Sequence, residues 1–316
     1  MPSHESDRPG PDPLPPSDLA APAVKSAATD NAAGASWLML SVLTSTVMAL
    51  AVKWAAEEIE TGVIVTLRAV GGLAICLVAL MFFPRLRTQL RFSAPGLHIW
   101  RGALIGVSTQ FGFYTMTQIP LATATVLFFT APIFVALMSI PLQGERIGPR
   151  RGAAIAAGFL GVLIVLRPGA DGFHFAMLTG LFSSVLFALA LLSSRGLANR
   201  DGAFAAYISS AVMTIIVAAP VAAPVWSLPW SAAGWIALSL VTVTAMARNI
   251  GDIQAYRLAD AGVLAPLTYL RLILIAIASY FIFDETPDRY ALIGGAVIIA
   301  AALYIARRER LVKRRA

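Results

Sequence analysis

Two arginines stand where arginine is expensive. Arg68 falls about two turns into one predicted apolar helix, and Arg271 about two turns into another. A guanidinium at the centre of a bilayer-spanning helix costs roughly 2.5–3.5 kcal/mol on insertion scales, so such a residue usually faces a cavity or a partner. Arginine keeps its proton and offers a planar fork of donors that matches a carboxylate or a phosphate. The chemistry it suggests is recognition of an anion; snorkelling to the interface and a structural ion pair are the alternatives. A second cluster, Arg248, Asn249, Asp252 and Gln254, crowds a third helix. Arg248 and Asp252 share a face at i,i+4 spacing and can pair, and polar groups this dense line water or protein. A structural pair at the helix end accounts for them equally well. Aromatic and small polar residues follow: Trp100, Ser108, Gln110, Phe111, Phe113 and Tyr114 on one helix, Thr268 and Tyr269 on another. Their faces suit a ring or a cation, although most aromatics in such helices only pack.

The elements that must position these residues are membrane helices. The 316 residues are 58% hydrophobic and 13% charged, with mean hydropathy +0.76. A soluble domain carries roughly 25% charged residues, so this chain lacks the polar surface to cover a globule in water. Apolar runs of spanning length lie near 37–54, 61–83, 99–118, 121–141, 152–167, 175–193, 203–225, 232–254, 262–283 and 290–306. In hydrocarbon each backbone polar group must bond within its segment or a closed barrel. The runs lack the period-2 alternation of a barrel, so they are helices. Residues 1–35 are rich in Pro, Ser, Asp and Ala and are expected to form a disordered tail. The tail lacks the basic start and apolar core of a secretory signal.

Charge sets an expected orientation. With the N-terminus in the cytoplasm, the inner segments hold Arg85, Arg87 and Arg91, then Arg146, Arg150 and Arg151, then Arg195 and Arg200, Arg257, and the basic tail 307–316. The outer segments hold only Lys53, Arg167 and Arg289 among basic residues. That bias follows the positive-inside rule and places both termini in the cytoplasm of a cell bounded by a bacterial-type inner membrane. The net charge of +7 sits in short clusters between apolar runs, which argues against a nucleic-acid partner.

Several chemistries are missing from the sequence. It contains no GxxxxGK[ST] phosphate cradle and no HExxH motif; its histidines are His4, His98 and His174, and its one cysteine, Cys76, lies in an apolar run. Neither a cofactor nor a metal is expected, and neither is an enzyme. An enzyme acting on lipid would need clustered carboxylates or histidines at an interface, and only Asp284, Glu285 and Asp288 come near that. A structural or sensor protein is the third class. The partners expected are a small-molecule solute and membrane lipid. Small-residue faces at Gly102 and Gly106 and at Gly158 and Gly161 let helices approach closely. The assembly left open is a homodimer.

The layout repeats. The fourth span runs into Glu145 and the ninth into Glu285; each carboxylate follows a long apolar helix and precedes a proline-containing turn and a Gly/Ala-rich helix. The blocks are five spans apart, an odd number, so the halves insert with opposite orientation. Residues 36–168 and 169–306 are therefore expected to be two five-helix repeats of inverted topology. Many secondary carriers are built this way, with the substrate site near the midplane. Both carboxylates are expected to be structural, Glu145 beside Arg146 and Glu285 beside Arg289.

On these residues the chain resembles the drug/metabolite transporter superfamily, EamA type. The matching stretches are Lys53 and Arg68, WRG at 100–102, IPLATATVLFFTAPIF at 119–134, GER at 144–146, GFLGVLIVLRPG at 158–169, and APLTYLRL through FDETP across 265–287. The YLRL stretch at 269–272 is similar to the branch that includes S-adenosylmethionine uptake carriers. Leu272, opposite Pro132 of the first repeat, departs from the pattern. The resemblance implies a ten-helix secondary carrier of a small organic solute, amino-acid-like or S-adenosylmethionine-like, whose binding residues would come from Arg68, Arg271, Tyr269, Tyr114, Gln110, Arg248, Asn249 and Asp252.

Overall fold

In the computed structural model, the structure describes residues 30–313 apart from 88–89, 144–147, 170–171 and 260. The expected tail up to residue 29, and Glu145 with its neighbour Arg146, lie outside the described residues. The expected all-α membrane architecture is borne out. In order the helices are α1 (Asn31–Ala55), α2 (Thr61–Phe82), the short α3 (Pro84–Arg87), α4 (Pro95–Gln118), α5 (Leu121–Phe128), α6 (Ala131–Gln143), α7 (Pro149–Leu166), α8 (Phe175–Ala222), α9 (Ala232–Leu258), α10 (Ala261–Thr268), α11 (Leu270–Phe283) and α12 (Arg289–Lys313). Among the described residues nine stretches are long and apolar enough to cross a membrane, with α5 and α6 acting as one and α11 with the end of α10 as another. The tenth, α4, has the length at 24 residues but is more polar, because Arg101, Ser108, Thr109, Gln110 and Thr115 lie along it.

Local sequence explains where the helices start and bend. α1 begins at Asn31, earlier than the apolar run at 37, because the Asp30 carboxylate accepts the Ala33 N–H at 2.9 Å and caps it. Pro stands in the first turn of α4 and of α7, where its missing donor costs nothing. The sixth and seventh spans were expected to be separated by a loop. They are two helical spans that run together as α8 without an intervening loop, meeting at an elbow where Gly202 takes φ 81° and ψ 165°. Glycine carries that left-handed φ without a Cβ penalty.

The fourth and ninth spans are each broken midway. Phe129 and Thr130 separate α5 from α6, and Tyr269 separates α10 from α11. At the first break Pro132 has no N–H to give the preceding turn; the chain tightens instead, with Thr130 N–H donating to Leu127 O at 3.1 Å. At the second, Tyr269 N–H reaches back only three residues to Pro266 O at 3.2 Å, and Leu272 N–H to Tyr269 O at 3.1 Å. Leu272 does not preserve a straight helix, since Pro266 lies inside α10 and supplies the interruption from upstream.

Helices early in the chain pack chiefly on helices late in it: α1 on α9, α7 on α12, and α4 and α2 on α8. The α7–α12 contact is tightest at two glycines, since a Cβ on Gly161 would lie 2.9 Å from the Gly294 carbonyl oxygen and one on Gly294 2.6 Å from that of Gly161. The expected small-residue face of α7 is used in this way.

Candidate functional site

A cavity of about 810 Å³ lies between the helices, within the 300–1,000 Å³ of small-molecule sites. It runs from Ala49, Met116 and Ile275 in the middle of the bundle toward the elbow of α8. Arg68 enters it from α2, Arg101 from α4, Arg248, Asn249 and Asp252 from α9, and Arg271 from the first turn of α11. The break at Tyr269 thus sets Arg271 at a helix start in mid-span, not two turns inside a continuous helix as the sequence suggested.

The arginines differ in their surroundings. Arg101 donates to the Ala206 carbonyl at 3.1 Å and to the Ser210 hydroxyl at 2.7 Å, both on the second arm of α8. The Arg68 guanidinium lies 5.4 Å from the centre of the Phe113 ring and within electrostatic reach of Tyr207 and Arg248. Tyr207 seats its hydroxyl over Gly72, one turn beyond Arg68, where a Cβ would come within 2.6 Å of it. Arg248 is also felt by Arg271, as is Asp252. The Nε atoms of Arg68, Arg248 and Arg271 are buried and meet no acceptor among the described residues. Arg248 and Asp252 make no ion pair there, although their spacing allows one; the Asp252 carboxylate accepts the Ser41 hydroxyl of α1. Asn249 spends its amide donor on Ala245 O at 2.9 Å.

Of the expected binding residues, Arg68, Arg248, Asn249, Asp252 and Arg271 share the cavity wall. Tyr269, Gln110 and Tyr114 are not on it. The Tyr269 ring packs on Phe129 at 4.9 Å between centroids. Gln110 lies against Gly62 of α2, its Nε2 3.4 Å from where a Cβ would stand, and Tyr114 is exposed. Sequence reasoning missed Arg101, Tyr207 and a buried pair at the elbow: His98 Nε2 and Asp201 Oδ2 are 2.9 Å apart, and His98 Nδ1 bonds the Ser209 hydroxyl at 2.9 Å. The Ser93 N–H donates to the same Asp201 oxygen at 3.0 Å. Bonding from Ser93, then from His98, holds the Asp201 carboxyl below the usual carboxylate range, against the opposing pull of burial. The available signal was the run of small polar and charged residues flanking Gly202, which reads as an ordinary loop.

At the other end of the cavity, one turn beyond Ala49, Lys53 forms an ion pair with Glu285, whose second oxygen accepts the Leu121 N–H at 2.9 Å. Glu285 therefore joins the ends of α1 and α11 to the start of α5. Its partner is not Arg289, whose guanidinium lies over the Tyr290 ring at 4.8 Å. Asp288 pairs with Arg167. Among the described residues no group of His, Cys, Asp and Glu is placed to hold a metal ion.

The EamA-like transporter family matches residues 32–167. An S-adenosylmethionine uptake transporter of Rickettsia prowazekii is 27% identical over 280 residues, 88% of this chain and 93% of the relative. A riboflavin transporter of Rhizobium johnstonii is 28% identical, covering 87% and 91%, and a pseudopaline exporter of Pseudomonas aeruginosa is 26% identical, covering 87% and 97%. A solved crystal structure, 22% identical, covers 90% of this chain and 98% of its own with a TM-score of 0.59, which is a likeness of fold. The arginine-walled cavity thus lies inside an all-helical membrane bundle whose first part matches the EamA-like transporter family and whose whole length is similar to transporters of small metabolites.

Proposed function

We propose that the chain is a secondary carrier that moves a small organic metabolite across a bacterial inner membrane by alternating access, with both termini in the cytoplasm. The observation that carries this reading is the cavity wall: Arg68, Arg248 and Arg271 meet there with no ion pair among the described residues. A guanidinium held away from water needs an anion or water to offset its cost, and a solute carboxylate or phosphate supplies one. Residues 36–168 and 169–306 act as the two halves, each with a spanning helix broken near the cavity, as inverted-repeat carriers use at their binding sites. The ion pair of Lys53 with Glu285 closes the end away from the elbow. An amino-acid-like solute such as the S-adenosylmethionine named for the Rickettsia relative is one candidate, its carboxylate on Arg271. The lipid-enzyme reading loses support because two of the three acids it would use, Glu285 and Asp288, are committed to Lys53 and Arg167.

Pure protein in liposomes provides the test. Uptake and exchange of radiolabelled S-adenosylmethionine, riboflavin and their phosphorylated or demethylated analogues should give saturable flux for at least one compound. Binding without flux of any bound compound, in vesicles shown to be sealed, would sink the carrier reading.

A further inference from the structure

We infer that the solute held in this cavity brings two negative charges, as a phosphate monoester or a dicarboxylate does, on a body flat enough to lie against aromatic rings. The inference rests on the carrier reading and narrows its solute class. The charged groups on the described wall are Arg68, Arg101, Arg248, Arg271 and Asp252. Arg101 is held by the neutral acceptors Ala206 and Ser210 on the second arm of α8 and adds positive charge to the wall. The other three guanidiniums face one carboxylate, and each of the three has a buried Nε with no acceptor.

Arg248 lies within electrostatic reach of both other arginines. Like charges repel more strongly as the surroundings become less polarisable, so the wall is lowest in energy when two negative charges enter. One carboxylate meets one guanidinium and leaves another unbalanced. A phosphate monoester carries about −1.5 to −2 charge near neutral pH with three acceptor oxygens, and forked guanidiniums take such oxygens in pairs. Phe113, Phe128, Phe187, Tyr207 and Tyr256 supply ring faces on the same wall. A zwitterionic head fits less well: its ammonium would find only Asp252, which already accepts the Ser41 hydroxyl. A sulfonium adds another cation beside the arginines.

The test compares matched pairs on the full chain in lipid nanodiscs by calorimetry: riboflavin against riboflavin 5′-phosphate, adenosine against adenosine 5′-monophosphate, and S-adenosylmethionine alone. Each phosphate should bind at least about tenfold more tightly than its parent, and more tightly than S-adenosylmethionine. The phosphate advantage should shrink in Arg248→Gln and in Arg271→Gln. Equal affinity within both pairs, S-adenosylmethionine binding tighter than the phosphates, or no binding of either phosphate overturns the inference. The wild-type comparison decides this even where a variant misfolds. Flux is read separately: transport without phosphate preference defeats this inference and leaves the carrier reading, whereas phosphate binding without transport does the reverse.

Discussion

Phe129 and Tyr269 touch, ring to ring at 4.9 Å, and each stands at the break in its own half's interrupted helix. Tyr269 lies as far along the chain from Phe129 as Glu285 does from Glu145, the spacing expected of equivalent places in the two proposed repeats. The contact joins the breaks directly beside Arg271. Tyr269→Phe keeps the ring and should transport at close to the wild-type rate. Tyr269→Ala removes the contact and should lower transport several-fold while folded yield falls less. Equal losses in the two variants would assign the role to the hydroxyl instead.

Arg271 is tested by its replacements. Lysine keeps the charge but loses the fork, so Arg271→Lys should retain partial transport. Arg271→Gln removes a charge-assisted contact of about 1.5–3 kcal/mol, and transport should fall by roughly tenfold or more. Wild-type rates in both folded variants would remove Arg271 from the site.

Glu285 serves two partners, the Lys53 ammonium and the Leu121 N–H. Glu285→Gln leaves Lys53, which is only partly exposed, without its countercharge, at a cost of about 1–3 kcal/mol. Thermal unfolding in detergent should show a lower Tm and a lower folded yield, with solute affinity little changed in the protein that survives. Normal stability with lost binding would reverse the assignment.

The elbow predicts a pH response. Ser93 and His98 hold the Asp201 carboxyl below its ordinary value, so it binds protons less readily folded than unfolded. The stabilisation is present in full above the unfolded carboxylate pKa of about 3.9 and is lost as pH falls through the lower folded value. Below about pH 4 the Tm of the wild type should therefore drop more steeply than that of Asp201→Asn. Parallel curves would show that this pair does not couple to folding.

Orientation is checked with reporter fusions at Ala316 and within 168–173, which should report opposite sides of the membrane because the basic residues alternate loop by loop. The same side for both would sink the ten-span topology.

Much of this architecture was readable because lipid demands so much of a sequence. Apolar runs of spanning length gave the helices, the cost of burying a guanidinium singled out Arg68 and Arg271, and the polar cluster on one helix drew attention to Arg248; the three share one wall. Arg101 escaped notice because it stands close to a helix start, where an arginine reads as an interfacial anchor. The Lys53–Glu285 partnership joins residues 232 positions apart, and no local pattern announces it. The break at Tyr269 shows in the sequence only through Pro266, because Leu272 stands 140 residues on from Pro132, where a second proline would have marked it. The elbow was read as a loop because a glycine of positive φ between two directly joined helices leaves the same trace in sequence as a turn.

The glycine contact between α7 and α12 has a consequence for how the protein is made. α7 leaves the ribosome well before α12, and until then the face at Gly161 has no Gly294 to receive it. Lys53, at the end of α1, likewise waits through most of synthesis for Glu285. The first half therefore enters the membrane as an unfinished surface, and an insertion chaperone or neighbouring lipids must shield it until translation ends. A nascent chain released before residue 289 should be recognised by membrane quality-control proteases, however well its early helices are inserted.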